Sequence, residues 1–161
     1  MKSAANVASR AELLRCAAGW RAEGKTVALA NGLFDLVHVG HLRYLEEAAT
    51  LADVLVVAIN DDASARALKG ENRPIVPQQE RAELIAGFRC VALVTLFGES
   101  TVEALLHALV PDVHCKGTDY TAETVPEREI ARALGIRVAI TGDAKTHATR
   151  DLIRQIREGS R

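Results

Sequence analysis

At 161 residues the chain has the length of one domain and enough material to bury its own core. Its 48% hydrophobic and 25% charged residues are ordinary for a globular protein, and a net charge of −1 argues against a nucleic-acid binder, which carries a basic surplus. No run approaches the roughly 18 apolar residues that span a bilayer, and Met1 to Asn6 lack the apolar core of a secretory signal.

A cytoplasmic protein that engages neither membrane nor nucleic acid is therefore expected. Cys16, Cys90 and Cys115 form no Cys-x-x-Cys pair, which speaks against a disulfide framework and a zinc site. Cys16 and Cys90 read as small buried apolar residues, whereas Cys115 falls near the motifs described below.

In chain order, residues 1–10 read as a flexible tail and residues 11–23 as a helix carrying Leu13, Leu14, Ala17 and Trp20. Short β-branched runs follow at 26–30, 54–59, 91–97, 113–115 and 136–140. Helical spacing fills the intervals at 41–51, 63–68, 79–88, 102–109, 127–134 and 150–157. Strands that alternate with helices and read as unbroken apolar runs predict one α/β domain with a parallel sheet covered on both faces. Ligands of such sheets bind beyond the carboxyl ends of the strands, so motifs that follow strands carry the chemistry.

The first strand leads into Gly32-Leu33-Phe34-Asp35-Leu36-Val37-His38-Val39-Gly40-His41. No Gly-x-Gly-x-x-Gly stands here, so a dinucleotide fingerprint is not supported. His38 and His41, three apart at a helix start, face one side. Gly40 removes a side chain where a phosphate would approach, and the helix N-terminus favours an anion. Two imidazoles there can donate to phosphate oxygens that gain charge in a transition state. Two metal ligands are the other reading, but zinc takes at least three and no third is evident.

Asn60-Asp61-Asp62 after the second strand reads first as a helix cap. Lys69, before Gly70, is a cation able to reach a phosphate. Arg81, in the first turn of a helix, opposes the dipole, so an anionic partner or a salt bridge to Glu80 or Glu83 would explain it. After the fourth strand comes Lys116-Gly117-Thr118-Asp119-Tyr120, where Gly117 allows close approach and Asp119 could accept from a ribose or an adenine amine.

The His-x-Gly-His stretch with Gly-x-Phe-Asp before it resembles the signature of the cytidylyltransferase-like nucleotidyltransferases. Lys116-Gly117-Thr118-Asp119-Tyr120, Asn60 to Ser64, Leu68-Lys69-Gly70, Arg73-Pro74-Ile75 and Pro111-Asp112-Val113 resemble one branch, the heptose 1-phosphate adenylyltransferases of lipopolysaccharide core synthesis. That resemblance implies a Rossmann-like, doubly wound, five-stranded parallel α/β sheet and transfer of AMP from ATP to a sugar 1-phosphate. It implies catalytic His38, His41 and Lys69. It places ATP on Gly32, Leu33, Phe34, Gly40, Arg81, Lys116, Gly117, Asp119, Thr149 and Arg150, and the acceptor on Asp35, Asn60 and Tyr120. Mg2+ would be carried mainly by the ATP phosphates, with no metal ligand from the protein. A homo-oligomer, most simply a dimer, is implied, as is a separate kinase to supply the acceptor. Ala148 stands where the family has Ser in a triphosphate loop. A cytidylyltransferase acting on glycerol phosphate or another phosphoalcohol, and an inactive nucleotide-binding module, are the alternatives.

Overall fold

A computed structural model describes residues 6–143 and 149–159. Ser9 opens the first helix, α1 (Arg10–Ala22), with a capping box: its hydroxyl accepts the Glu12 N–H, and the Glu12 carboxylate accepts the Ser9 N–H at 2.8 Å. Leu13 and Ala17, one turn apart, are the buried residues of α1. Strand β2 (Val27–Gly32) then enters α2 (Val39–Ala49), and β3 (Val54–Asn60) enters α3 (Asp62–Lys69) and α4 (Gln78–Ala86). After these come β4 (Leu93–Phe97), α5 (Glu103–Leu109), β5 (Val113–Gly117), α6 (Arg128–Ala133), β6 (Arg137–Thr141) and α7 (Thr149–Glu158).

A short edge strand, β1 (Val7–Ala8), pairs with β4. This corrects two expectations. Among the described residues the sheet has six strands, not five, and residues 7–10 form β1, the cap and the start of α1, not a tail. A two-residue strand carries no alternation long enough to read, which is why the sequence hid it.

All pairings are parallel, in the order β1-β4-β3-β2-β5-β6. Side chains of β2 alternate between two apolar layers. Ala28 and Ala30 join Leu45, Leu55, Val57 and Ile85 on one face, while Val27 and Leu29 join Leu13, Val56, Leu105 and Leu106 on the other. The chain builds outward from β2 through β3 to β4, then restarts on the opposite side at β5. That reversal opens a crevice at the carboxyl ends of β2 and β5. Among the described residues, no helix is long and apolar enough to cross a membrane.

The expectation that Cys16 is buried is corrected. Cys16 lies on the exposed face of α1, Cys90 is half-buried, and Cys115 is fully buried on β5. Leu13 and Ala17 take the core-facing side of α1, which leaves Cys16 turned outward.

Candidate active site

A cavity of about 830 Å³ lies over the carboxyl ends of the strands. One wall comes from the ends of β3 and β4 with Leu68 and Lys69, the other from the ends of β5 and β6 and the residues that follow them. The β2–α2 loop lies between them, as the strand order requires.

His38 is the N-cap of α2, and its Nδ1 accepts the Gly40 N–H at 3.2 Å. Nδ1 of His41 accepts the His38 N–H at 3.3 Å. With both Nδ1 lone pairs engaged, a neutral ring carries its proton on Nε2. The rings stand 4.0 Å apart, tilted by 32°. Burial, and after it the neighbouring His38, push His41 down to about 4, so it is a neutral donor at physiological pH.

The loop beneath is bent to seat these rings. Phe34 and Leu36 adopt left-handed backbone, at φ 52° and 53°, which costs about 1–3 kcal/mol for each non-glycine residue. Phe34 packs 5.4 Å from the His41 ring and 6.3 Å from Tyr44. A Cβ on Gly32 would stand 3.2 Å from the Phe34 ring, so glycine leaves room for this packing. The Tyr44 hydroxyl donates to the Cys115 carbonyl at 2.8 Å and ties α2 to β5.

Asp35 is buried at 2% exposure. Its carboxylate accepts the Ile75 and Val76 N–H groups at about 3.0 Å and Arg73 Nε at 2.6 Å. Burial alone would raise this carboxyl, but those N–H donors and the guanidinium outweigh it and hold it below the ordinary value. Asp35 lines the cavity as expected, yet its oxygens hold the Arg73–Val76 segment in place.

Asn60 ends β3 and reaches Ser64 Oγ at 3.3 Å, while the cap of α3 is Asp61, whose Oδ1 accepts the Ser64 N–H at 2.7 Å. Lys69 ends α3, exposed at the cavity rim. Lys116 is buried at 6% exposure, 3.5 Å from Glu127 Oε2 and 4.8 Å from the centre of the Tyr120 ring. The Thr149 hydroxyl donates to the Asp35 carbonyl at 2.9 Å, which sets the start of α7 against the β2–α2 loop with Arg150 at the cavity. Ala148 and His147 lie outside the described residues.

Gly32, Leu33, Phe34, Gly40, Gly117, Asp119 and Tyr120 also line the cavity, so the structure gathers almost every residue singled out in the sequence. Arg81 is the exception. Its guanidinium is fully buried away from the cavity, bonded to Val76 O at 2.9 Å, Leu33 O at 2.5 Å and Asp62 Oδ1 at 2.8 Å. Its expected contact with ATP is corrected to a clamp that joins the β2 loop to α3 and α4. A first-turn arginine does need an anion, but Asp62 supplies it from within the chain. The wall also holds residues that sequence reasoning missed: Asn31, Arg73, Phe97, Ser100, Thr101 and Glu127. Asn31 adjoins the motif at Gly32 and was within reach of sequence reading; Glu127 carries no local signal.

A family model described as cytidylyltransferase-like matches residues 29–154. The bifunctional protein HldE of Pelobacter propionicus is 43% identical over 138 residues, which cover 86% of this chain and 28% of that protein. The bifunctional protein HldE of Rhodopseudomonas palustris is 42% identical over 154 residues, 96% of this chain and 31% of the relative. The chain thus spans 28–31% of the length of these curated relatives. The crystal structure of the lipopolysaccharide core biosynthesis protein from Thermoplasma volcanium superposes with a TM-score of 0.65 at 27% identity, covering 76% of this chain and all of that one.

Proposed function

We propose, from the premise that this chain belongs to the cytidylyltransferase-like family, that it transfers AMP from ATP to a sugar 1-phosphate of the heptose class. It is a nucleotidyltransferase. The observation that carries the reaction is the His38–His41 pair, with both Nδ1 atoms held by backbone N–H groups at the cavity. The adenylyl and sugar assignments draw support from the HldE relatives, the lipopolysaccharide core biosynthesis neighbour and the Lys116–Tyr120 motif.

An anomeric phosphate oxygen of the acceptor attacks the α-phosphorus of ATP in line. The new P–O bond forms as the α–β bridging bond breaks, and pyrophosphate leaves. An ionised phosphate needs little help from a base, so catalysis is positioning and charge stabilisation. Nε2 donors of His38 and His41 meet the phosphate oxygens as charge develops. Lys69 approaches from the β3 side, and Lys116 and Arg150 from the other wall.

Among the described residues, no group of three or more His, Cys, Asp or Glu could hold a metal ion. A Mg2+ that arrives on the triphosphate would keep phosphate and water as its ligands. When bound, it would neutralise phosphate charge.

Purified protein incubated with ATP or CTP, and with a heptose 1-phosphate or glycerol phosphate, tests the assignment through pyrophosphate release. Release is expected with ATP and the sugar phosphate. Release only with CTP and glycerol phosphate would move the chain to phosphoalcohol activation. Nucleotide binding without release in any combination would make it a binding module.

A further inference from the structure

Asn31 precedes the His-x-Gly-His loop, near the carboxyl end of β2, and lines the cavity. Its Oδ1 lies 2.9 Å from Nε2 of His114, a residue of β5 that is fully buried. His114 has a second notable feature: its Nδ1 is buried with no hydrogen-bond partner among the described residues. The two facts together fix the tautomer. A proton on Nδ1 would strand a buried donor, whereas a proton on Nε2 is used at once by Asn31 Oδ1. Burial, and then the charge of Lys116, push His114 down to about 3, so the ring stays neutral and keeps a single N–H.

The carboxamide is planar. With Oδ1 taken by His114, Nδ2 is the amide atom left to donate, on a residue that lines the cavity. An amide donor whose orientation is locked before a ligand arrives loses little entropy on binding.

We propose that Asn31 is a nucleotide-binding residue whose Nδ2 donates to an oxygen of the nucleoside triphosphate, and that His114 is the positioning residue that locks this donor toward the ligand. The proposal rests on the nucleotidyltransferase reading of the cavity and adds to it a contact and its support from beneath the sheet. The lock would be lost if Leu replaced His114, since an apolar side chain leaves the amide free to flip.

Titration calorimetry with a non-hydrolysable ATP analogue, beside melting curves, tests both halves on the whole chain. Asn31→Ala and Asn31→Asp should each weaken binding roughly ten- to a hundredfold, as expected for loss of a bond to a charged oxygen. His114→Leu should weaken it about three- to tenfold with no fall in melting temperature, because the orphaned Nδ1 goes with it. His114→Gln, which restores a donor near the place of Nε2, should recover most of that loss. In a 15N spectrum the Asn31 side-chain amide should shift when the analogue is added to the wild type.

Wild-type affinity in Asn31→Ala, or an unmoved Asn31 amide signal on saturation, overturns the contact. A His114→Leu protein that melts early yet binds normally makes His114 structural and overturns the lock. Failure of the wild type to bind either ATP or CTP is a separate result, visible before any variant is made. It removes the nucleotide reading, and the Asn31 contact with it.

Discussion

Nδ1 of His41 accepts the backbone N–H of His38 at 3.3 Å, so the backbone of one histidine fixes the proton of the other. A His41 whose only N–H is Nε2–H can do one thing at the cavity, which is to donate. His38→Ala and His41→Ala should each lower kcat by about two to three decades, the usual cost of one aimed donor. Circular dichroism spectra and melting curves should stay close to wild type.

The same ring gives a pH prediction. The His41 ring resonance should titrate with a midpoint of about 4, well below 6.5, because burial and His38 disfavour the charged form. A depressed folded pKa means that the unfolded chain takes the proton first. The contribution of His41 to stability is therefore complete above 6.5 and is lost as pH falls from 6.5 through about 4. A midpoint near 6.5 in the proton NMR titration would contradict the burial of this ring.

Arg81→Met should destabilise the fold. It strands the Val76 and Leu33 carbonyls and leaves Asp62 without the guanidinium. Each stranded carbonyl costs about 1–3 kcal/mol, so together they should lower the melting temperature by several degrees at this chain length. Arg81→Lys should recover little of it, since an ammonium cannot reach three separated acceptors with the fork of a guanidinium.

Lys69→Ala should behave in the opposite way. Lys69 is exposed at the end of α3 beside Gly70, whose φ of 99° ends the helix. Melting should be unchanged, while kcat/KM for the triphosphate falls about tenfold or more for loss of a charged phosphate contact. A melting loss with intact kinetics would make Lys69 structural.

A thiol reagent should label Cys16 quickly and Cys115 only on unfolding. Cys16 is exposed on α1, whereas Cys115 is fully buried, and that burial pushes its thiol up to about 12. Mass spectrometry of the labelled peptides should show this order, and pyrophosphate release should survive labelling of Cys16, which lies outside the cavity.

Local patterning in the sequence determined most of the architecture. The apolar runs that became β2, β3 and β5 and the helical spacing between them set a parallel α/β sheet, because burial on both faces demands continuous apolar strands. The same locality made His38, Gly40, His41 and Lys116 to Tyr120 legible, since each stands at the carboxyl end of a strand or in the loop that follows it. What the sequence could not decide were matters of which distant groups meet. Arg81 looked like a phosphate ligand until the fold brought Leu33 O, Val76 O and Asp62 around it. Cys16, expected to be buried, is exposed because helix rotation, not residue type, sets exposure. His114 read as one more residue of a strand until β5 settled beside β2 and put its Nε2 against Asn31, 83 positions away in the chain. A hydrogen bond between such distant residues has no local periodicity to announce it, so only the packed sheet could make it.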